Sequence, residues 1–254
     1  MAHLSNGDYN SPLTGAMMSE RESLVHNSGM AILIDNKVIK SIEESSKLCA
    51  EFGTDSIPNS LNVTNCQGFA MIPGFVDCHS HLLWDGDRSN EMILRQSGHS
   101  YTDIAKMGGG ISKTVKATRN ATESRLAKLG NSRLNRASKF GTTTMECKSG
   151  YGLSTDSELK LLSIIDDLNT QNPIDLHATW LGAHDFPFDK TKKQYMEELL
   201  SEQLPQVIEQ GIAKWADVFC EPGWYDLEQT EEIVRDAANS NLASRIHVDE
   251  FVNS

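Results

Sequence analysis

At 254 residues the chain is long enough to bury a sizeable core, in one large domain or two smaller ones, and its 39% hydrophobic and 23% charged content is that of an ordinary globular protein. A net charge of −12, with acidic residues scattered rather than blocked, argues against a nucleic-acid partner, because phosphate binding needs clustered Lys and Arg. No run of about 18 apolar residues occurs, so no membrane partner is expected.

The N-terminal MAHLSNGDYNSPLTG has neither the basic nor the apolar region of a secretory signal. Residues 1–15 are polar and expected to be poorly ordered, and 16–71 are expected to be the N-terminal part of a small β-sandwich domain. Within it, MAILIDNKVIK (30–40) reads as two strands joined at Asp35-Asn36, and 59–71 as further short strand and turn, with no confident helix. From residue 72 to 254 strands alternate with helices. Strands are expected at 72–79, 142–149, 174–184, 215–221 and 244–251, and helices at roughly 119–140, 156–171, 191–210 and 226–241. Such units build a parallel α/β sheet with right-handed crossovers, and a TIM-like barrel is the leading reading. Gly108-Gly109-Gly110 misses the Walker spacing and reads as a flexible loop over the cavity. The five cysteines are widely spaced and never form Cys-x-x-Cys, the pattern of a reduced, cytoplasmic protein.

Residues capable of chemistry sit where the strands end: His79 and His81, Lys148 and Tyr151, His184, Glu221, and His247 with Glu250. In β/α barrels that edge is where active sites are built. His79 and His81, two apart on a strand, share a face and can hold one metal ion, with His247 as a third ligand. A His-x-His pair by itself is a weak signal that reads more readily as two buried or surface histidines; its position strengthens the metal reading. His184 reads either as a core histidine or as a cavity residue, and Arg88 either as a solvated loop charge or as a ligand. Glu250 has opposite strand parity to His247, so it reaches the cavity only if the strand ends or bulges there. Cys147 and Cys220 read as packing residues.

Several segments together, PGFVDCHSHLLWDGDRSNE, YTDIAKMGGGISKTVKATR, ECKSGYGLSTDSELK, LGAHDFP, DVFCEPGWY and IHVDEF, resemble the imidazolonepropionase family of the amidohydrolase superfamily. The PG-x-VD-x-H-x-H segment points only to the superfamily; KSGYG, GAH, the GDR loop and the H-x-DE ending are more specific. The resemblance implies a (β/α)8 amidohydrolase barrel and one zinc or iron ion on His79, His81 and His247. It further implies substrate contacts from Arg88, Tyr151, His184 and Glu250, with His184 and Glu250 taking part in catalysis. The implied reaction is hydrolytic opening of the small molecule 4-imidazolone-5-propanoate to N-formimidoyl-L-glutamate, in histidine degradation, by a homodimer or a monomer.

Only about five βα units fit into 72–254, whereas the family's barrel has eight strands, the later ones bringing the aspartate that completes its metal site. The 254-residue chain is therefore expected to be inactive by itself. Two rivals remain: another amidohydrolase acting on a ring (a cyclic-amide hydrolase or heterocycle deaminase), and a non-catalytic fragment. The absence of a lysine at the end of the fourth strand, WADVFCE, disfavours a dinuclear site bridged by a carboxylated lysine.

Overall fold

The structure, a computed structural model, describes residues 15–19, 25–52, 62–250 and 252. The expectation for residues 1–14 and the part of the 59–71 expectation before Asn62 lie outside the described residues. The chain divides into two units, Met1–Pro73 and Gly74–Ser254.

In the first unit β1 (Met30–Asp35) and β2 (Val38–Glu44) form an antiparallel hairpin. Its turn lies one residue later than expected, at Asn36 and Lys37, with φ of 49° and 65°. Two left-handed residues in succession give the turn whose twist matches the flanking strands, and Asn tolerates that conformation. Helix α1 (Ser45–Phe52) follows directly; it was not anticipated, because its eight residues bury only Leu48 and carry little apolar periodicity. Residues 62–71 form no strand.

In the second unit five strands, β3 (Phe75–Asp77), β4 (Thr142–Lys148), β5 (Asp175–Ala183), β6 (Trp215–Phe219) and β7 (Ala243–His247), are all parallel and lie in chain order. A doubly wound sheet would reverse that order at a switch point; unbroken order is the winding of a barrel, here a half-barrel sheet. Its apolar residues, among them Met145, Leu176, Trp180 and Val218, pack with Leu126 and Leu134 of α5 (Glu123–Lys139) and Leu161, Leu162 and Ile165 of α6 (Thr155–Gln171). Each such side chain contributes roughly 1.5–3 kcal/mol on burial.

The helix expected over 119–140 begins later, because Thr122 is extended and its side chain caps Arg125 N–H. Before it the chain forms three unanticipated short helices, α2 (Asn90–Gln96), α3 (Tyr101–Lys106) and α4 (Ile111–Asn120). The Gly108–Gly110 triplet is the turn between the last two, not an open loop: Gly110 N–H donates to buried Glu91 at 2.8 Å, and a Cβ on Gly109 would meet Ile104 at 2.7 Å. The helix expected over 191–210 runs as α7 (Lys192–Glu198), a π turn (Leu199–Gln203) and α8 (Leu204–Gln210). Pro205, at the start of α8, has no N–H to give the preceding turn, which explains the widened segment. Helix α9 (Leu227–Asn239) starts at a capping box between Asp226 and Gln229. Among the described residues no helix is long and apolar enough to cross a membrane.

Candidate active site at the carboxyl ends of the strands

A cavity of about 570 Å³ opens at the carboxyl ends of the parallel strands, lined by His79, His81, His184, Phe219, His247 and Glu250 together with Arg95, His99, Ile111, Asp185 and Trp224. Strand β3 stops at Asp77, and the next residues are fastened to β4: Lys148 N–H donates to Ser80 O at 2.9 Å, and Ser80 Oγ to Glu146 O at 2.5 Å. Pinning Ser80 leaves its neighbours His79 and His81 facing the cavity together.

The two histidines then part company. His79 Nε2 faces His247 Nε2 at 3.1 Å. His247 Nδ1 donates to Asp217 Oδ1 at 3.0 Å, which holds a proton on Nδ1 and turns Nε2 to the cavity. Asp217 Oδ2 in turn accepts from Lys148 Nζ at 2.7 Å. Burial alone would raise the Asp217 carboxyl, but the His247 and Lys148 hydrogen bonds hold it below the ordinary carboxylate range. Lys148 also reaches Glu146 Oε1 at 2.8 Å, an oxygen shared with Thr179 Oγ at 2.6 Å and Arg245 Nη1 at 2.8 Å.

His81 turns the other way, stacking on His184 with ring centroids 4.9 Å apart and planes 12° apart. Tyr151 lies against both rings, at 4.7 Å and 5.3 Å. His81 Nδ1 donates to Ser149 O at 3.0 Å and His184 Nδ1 to Gly150 O at 2.8 Å. A carbonyl can only accept, so both rings carry the Nδ1 proton. Burial pushes the His81 imidazole well below its usual range and lowers His184 to about 4, where the charges of His247 and Arg88 add to the effect. Both are neutral near pH 7, each presenting an Nε2 lone pair. His79 is lowered as well, by burial and then by Lys148 and His247.

Glu250 reaches the cavity because β7 ends at His247, which releases it from strand parity; its N–H donates to Glu221 Oε1 at 2.6 Å. Arg88 is half-buried just before α2, within electrostatic reach of His184. Cys147 is buried, its thiol pushed up to about 12 by desolvation, as befits a packing residue, and all five cysteines are free. Asp217, Glu146 and Arg245 went unnoticed in the sequence, as did Arg95 and His99. The available signal for the first three was a charged residue in the interior of a strand.

No model of a protein family matches the chain. Curated relatives do. An imidazolonepropionase of Thermoanaerobacter pseudethanolicus is 38% identical over 228 residues, 87% of this chain and 55% of the relative. One of Shewanella sediminis is 43% identical over 196 residues, 76% of this chain and 48% of the relative. Over 76–96% of its length the chain is similar to curated imidazolonepropionases. It spans about half the length of the curated imidazolonepropionases it matches. Among solved structures, 5-methylcytosine deaminase from Klebsiella pneumoniae, liganded with phosphonocytosine, superposes with a TM-score of 0.56 at 15% identity, covering 87% of this chain and 48% of that one. That likeness is one of fold.

The donor set fits a metal ion in part. Two imidazole nitrogens each about 2.05 Å from one ion lie about 2.9 Å apart at right angles and about 3.3 Å at the tetrahedral angle; the His79–His247 separation of 3.1 Å falls between. The carboxylate behind His247 is the support such ligands ordinarily have. Among the described residues, however, no group of three or more His, Cys, Asp or Glu side chains is gathered closely enough to hold an ion as placed.

Proposed function

We propose that this chain carries the metal-binding and substrate-binding part of an enzyme that hydrolyses the cyclic amide of 4-imidazolone-5-propanoate to N-formimidoyl-L-glutamate. The observation that carries the reading is the His79–His247 pair, backed by Asp217 and sharing one cavity with His184 and Glu250. In this reading His79, His81 and His247 hold one zinc or iron ion, and the five strands belong to an eight-stranded barrel whose remaining strands complete the site. Such an ion, when bound, supplies an activated water near neutral pH and polarises a carbonyl.

The residues of the chain supply the rest. Arg88 presents a forked donor to the propionate, and Tyr151 adds a hydroxyl donor beside the stacked His81 and His184 rings. His184 cannot donate to a developing oxyanion near pH 7, since its only proton is committed to Gly150 O. It acts instead as an acceptor at Nε2, suited to a ring N–H of the substrate. Glu250, with its backbone tied to Glu221, moves a proton.

The test uses the 254-residue sequence continued with the last three βα units of a curated relative, hereafter the completed chain. Metal-loaded, it is expected to deplete imidazolone absorbance and yield N-formimidoyl-L-glutamate. Release of ammonia with the ring intact would indicate a deaminase instead. An Arg88→Ala variant is expected to raise KM roughly 10–100-fold, the loss of a charge-assisted contact of about 1.5–3 kcal/mol; an unchanged KM would remove the carboxylate role.

A further inference from the structure

Tyr151 and the carbonyls that orient His81 and His184 all belong to one loop, residues 149–153, between β4 and α6. This loop is strained: Gly150 has φ 95°, and Leu153, which has a side chain, has φ 50°. Left-handed backbone at a side-chain-bearing residue persists only where the surroundings enforce it. Two side chains enforce it here, one through the loop's N–H groups and one through its carbonyls.

Glu158, fully buried in the first turns of α6, spends both carboxylate oxygens on the loop: Oε2 accepts from Gly150 N–H at 2.8 Å, and Oε1 from Gly152 and Leu153 N–H, each at 2.7 Å. Arg119, at the end of α4, takes the loop's carbonyls, donating from Nε to Gly152 O at 2.6 Å and from Nη2 to Leu153 O at 2.5 Å. Its remaining Nη1 is tied to Asp189 at 2.9 Å, so the guanidinium is itself held in place. There is no slack on the cavity side, where a Cβ on Gly150 would come within 2.9 Å of His184 Nδ1.

We infer that Glu158 and Arg119 are positioning residues of the site: by clamping the N–H groups and carbonyls of loop 149–153 they set the tautomer and direction of His81 and His184. Neither touches the cavity; both act through the carbonyls of Ser149 and Gly150. The consequence for catalysis rests on the function proposed above, but the clamp itself does not. Removing either residue lets the strained loop relax and carries the two carbonyl acceptors away from the imidazoles. The rings then lose their reason to keep the proton on Nδ1.

The test is long-range ¹H–¹⁵N NMR of the histidine rings in the chelated 254-residue protein, with His81 and His184 assigned from single substitutions. In the unmodified chain both are expected as the Nδ1–H form. In Glu158→Gln, where an amide N–H₂ replaces one acceptor, and in Arg119→Met, the Nδ1 shifts of both rings are expected to move from pyrrole-type to pyridine-type, with His177 unchanged as the reference. Should Glu158→Gln fail to fold, Arg119→Met decides alone. Folded variants with unmoved His81 and His184 signals overturn the clamp. Because neither substrate nor turnover enters this measurement, a protein without ring-opening activity still tests it, and an active protein with unmoved signals overturns the clamp alone.

Discussion

Lys148 lies buried between two carboxylates, Glu146 at 2.8 Å and Asp217 at 2.7 Å, with Arg245 on the same Glu146 oxygen. Two cations balance two anions there, so deleting one partner leaves buried charge uncompensated. Lys148→Met is expected to destabilise the fold by roughly 3–5 kcal/mol, read from urea unfolding; a loss within the error of the extrapolation would mean that water reaches the cluster. Asp217→Ala removes the support of His247 and is expected to weaken zinc binding by about 10–100-fold in a competitive chelator titration. His184 sets a pH dependence. Its folded pKa, lowered to about 4 by burial, lies below the ordinary value of 6.5, so between those values the unfolded chain binds more protons than the folded one. Stability is thus fully present above about pH 6.5 and falls progressively towards pH 4, by at most about 3 kcal/mol from this group. His184→Gln should flatten that slope in unfolding curves taken across the window, and an unaltered slope would show that His184 is not its source. At this scale the histidines and Glu250 were legible because they stand at strand ends beside Gly, Asp and Arg. Asp217, Glu146 and Arg245 were not, because a charged residue in the interior of a strand reads equally as a solvent face, and only the curl of the sheet brings three strands' charges together.

Between β3 and α5 the chain makes three helices of six to ten residues where the sequence suggested loop and the start of one long helix. Helices of six or seven residues, as α2 and α3 are, carry too few turns for apolar periodicity to register, and glycines at both ends of α3 blur it further. The longer elements were legible: α6 and α9 have strong start signals, and β4, β5 and β6 run into Gly or Pro within a few residues of their ends. Where a start signal was missed, at Thr122, its energetic weight is still predictable. Thr122→Ala removes the side-chain acceptor of Arg125 N–H and is expected to cost about 1 kcal/mol in chemical denaturation. A neutral result would mean that water replaces the cap.

For the whole molecule, the order β3-β4-β5-β6-β7 is what turns separate strand ends into one site, since it curls His79 round to within 3.1 Å of His247 although 168 residues separate them. The alternation of strands and helices pointed to that arrangement, but no local pattern states whether a parallel sheet closes. Among the described residues β3 and β7 each pair with one strand only, and Phe75, Val76 and Ile246 are exposed at 55%, 65% and 47%. Open edges bearing apolar side chains favour association. The 254-residue chain is accordingly expected to show concentration-dependent sedimentation, lessened by Val76→Lys; a single ideal species at all concentrations would argue against it.

The most direct measurement is ring opening of 4-imidazolone-5-propanoate by the completed chain, followed by imidazolone absorbance with metal content determined on the same sample. The expected result is turnover that disappears on chelation, returns with zinc or iron, and is lost in His79→Ala and His247→Ala. Completed chain that is folded and metal-loaded yet inert beside an active relative, or turnover indifferent to His79 and His247, would contradict it.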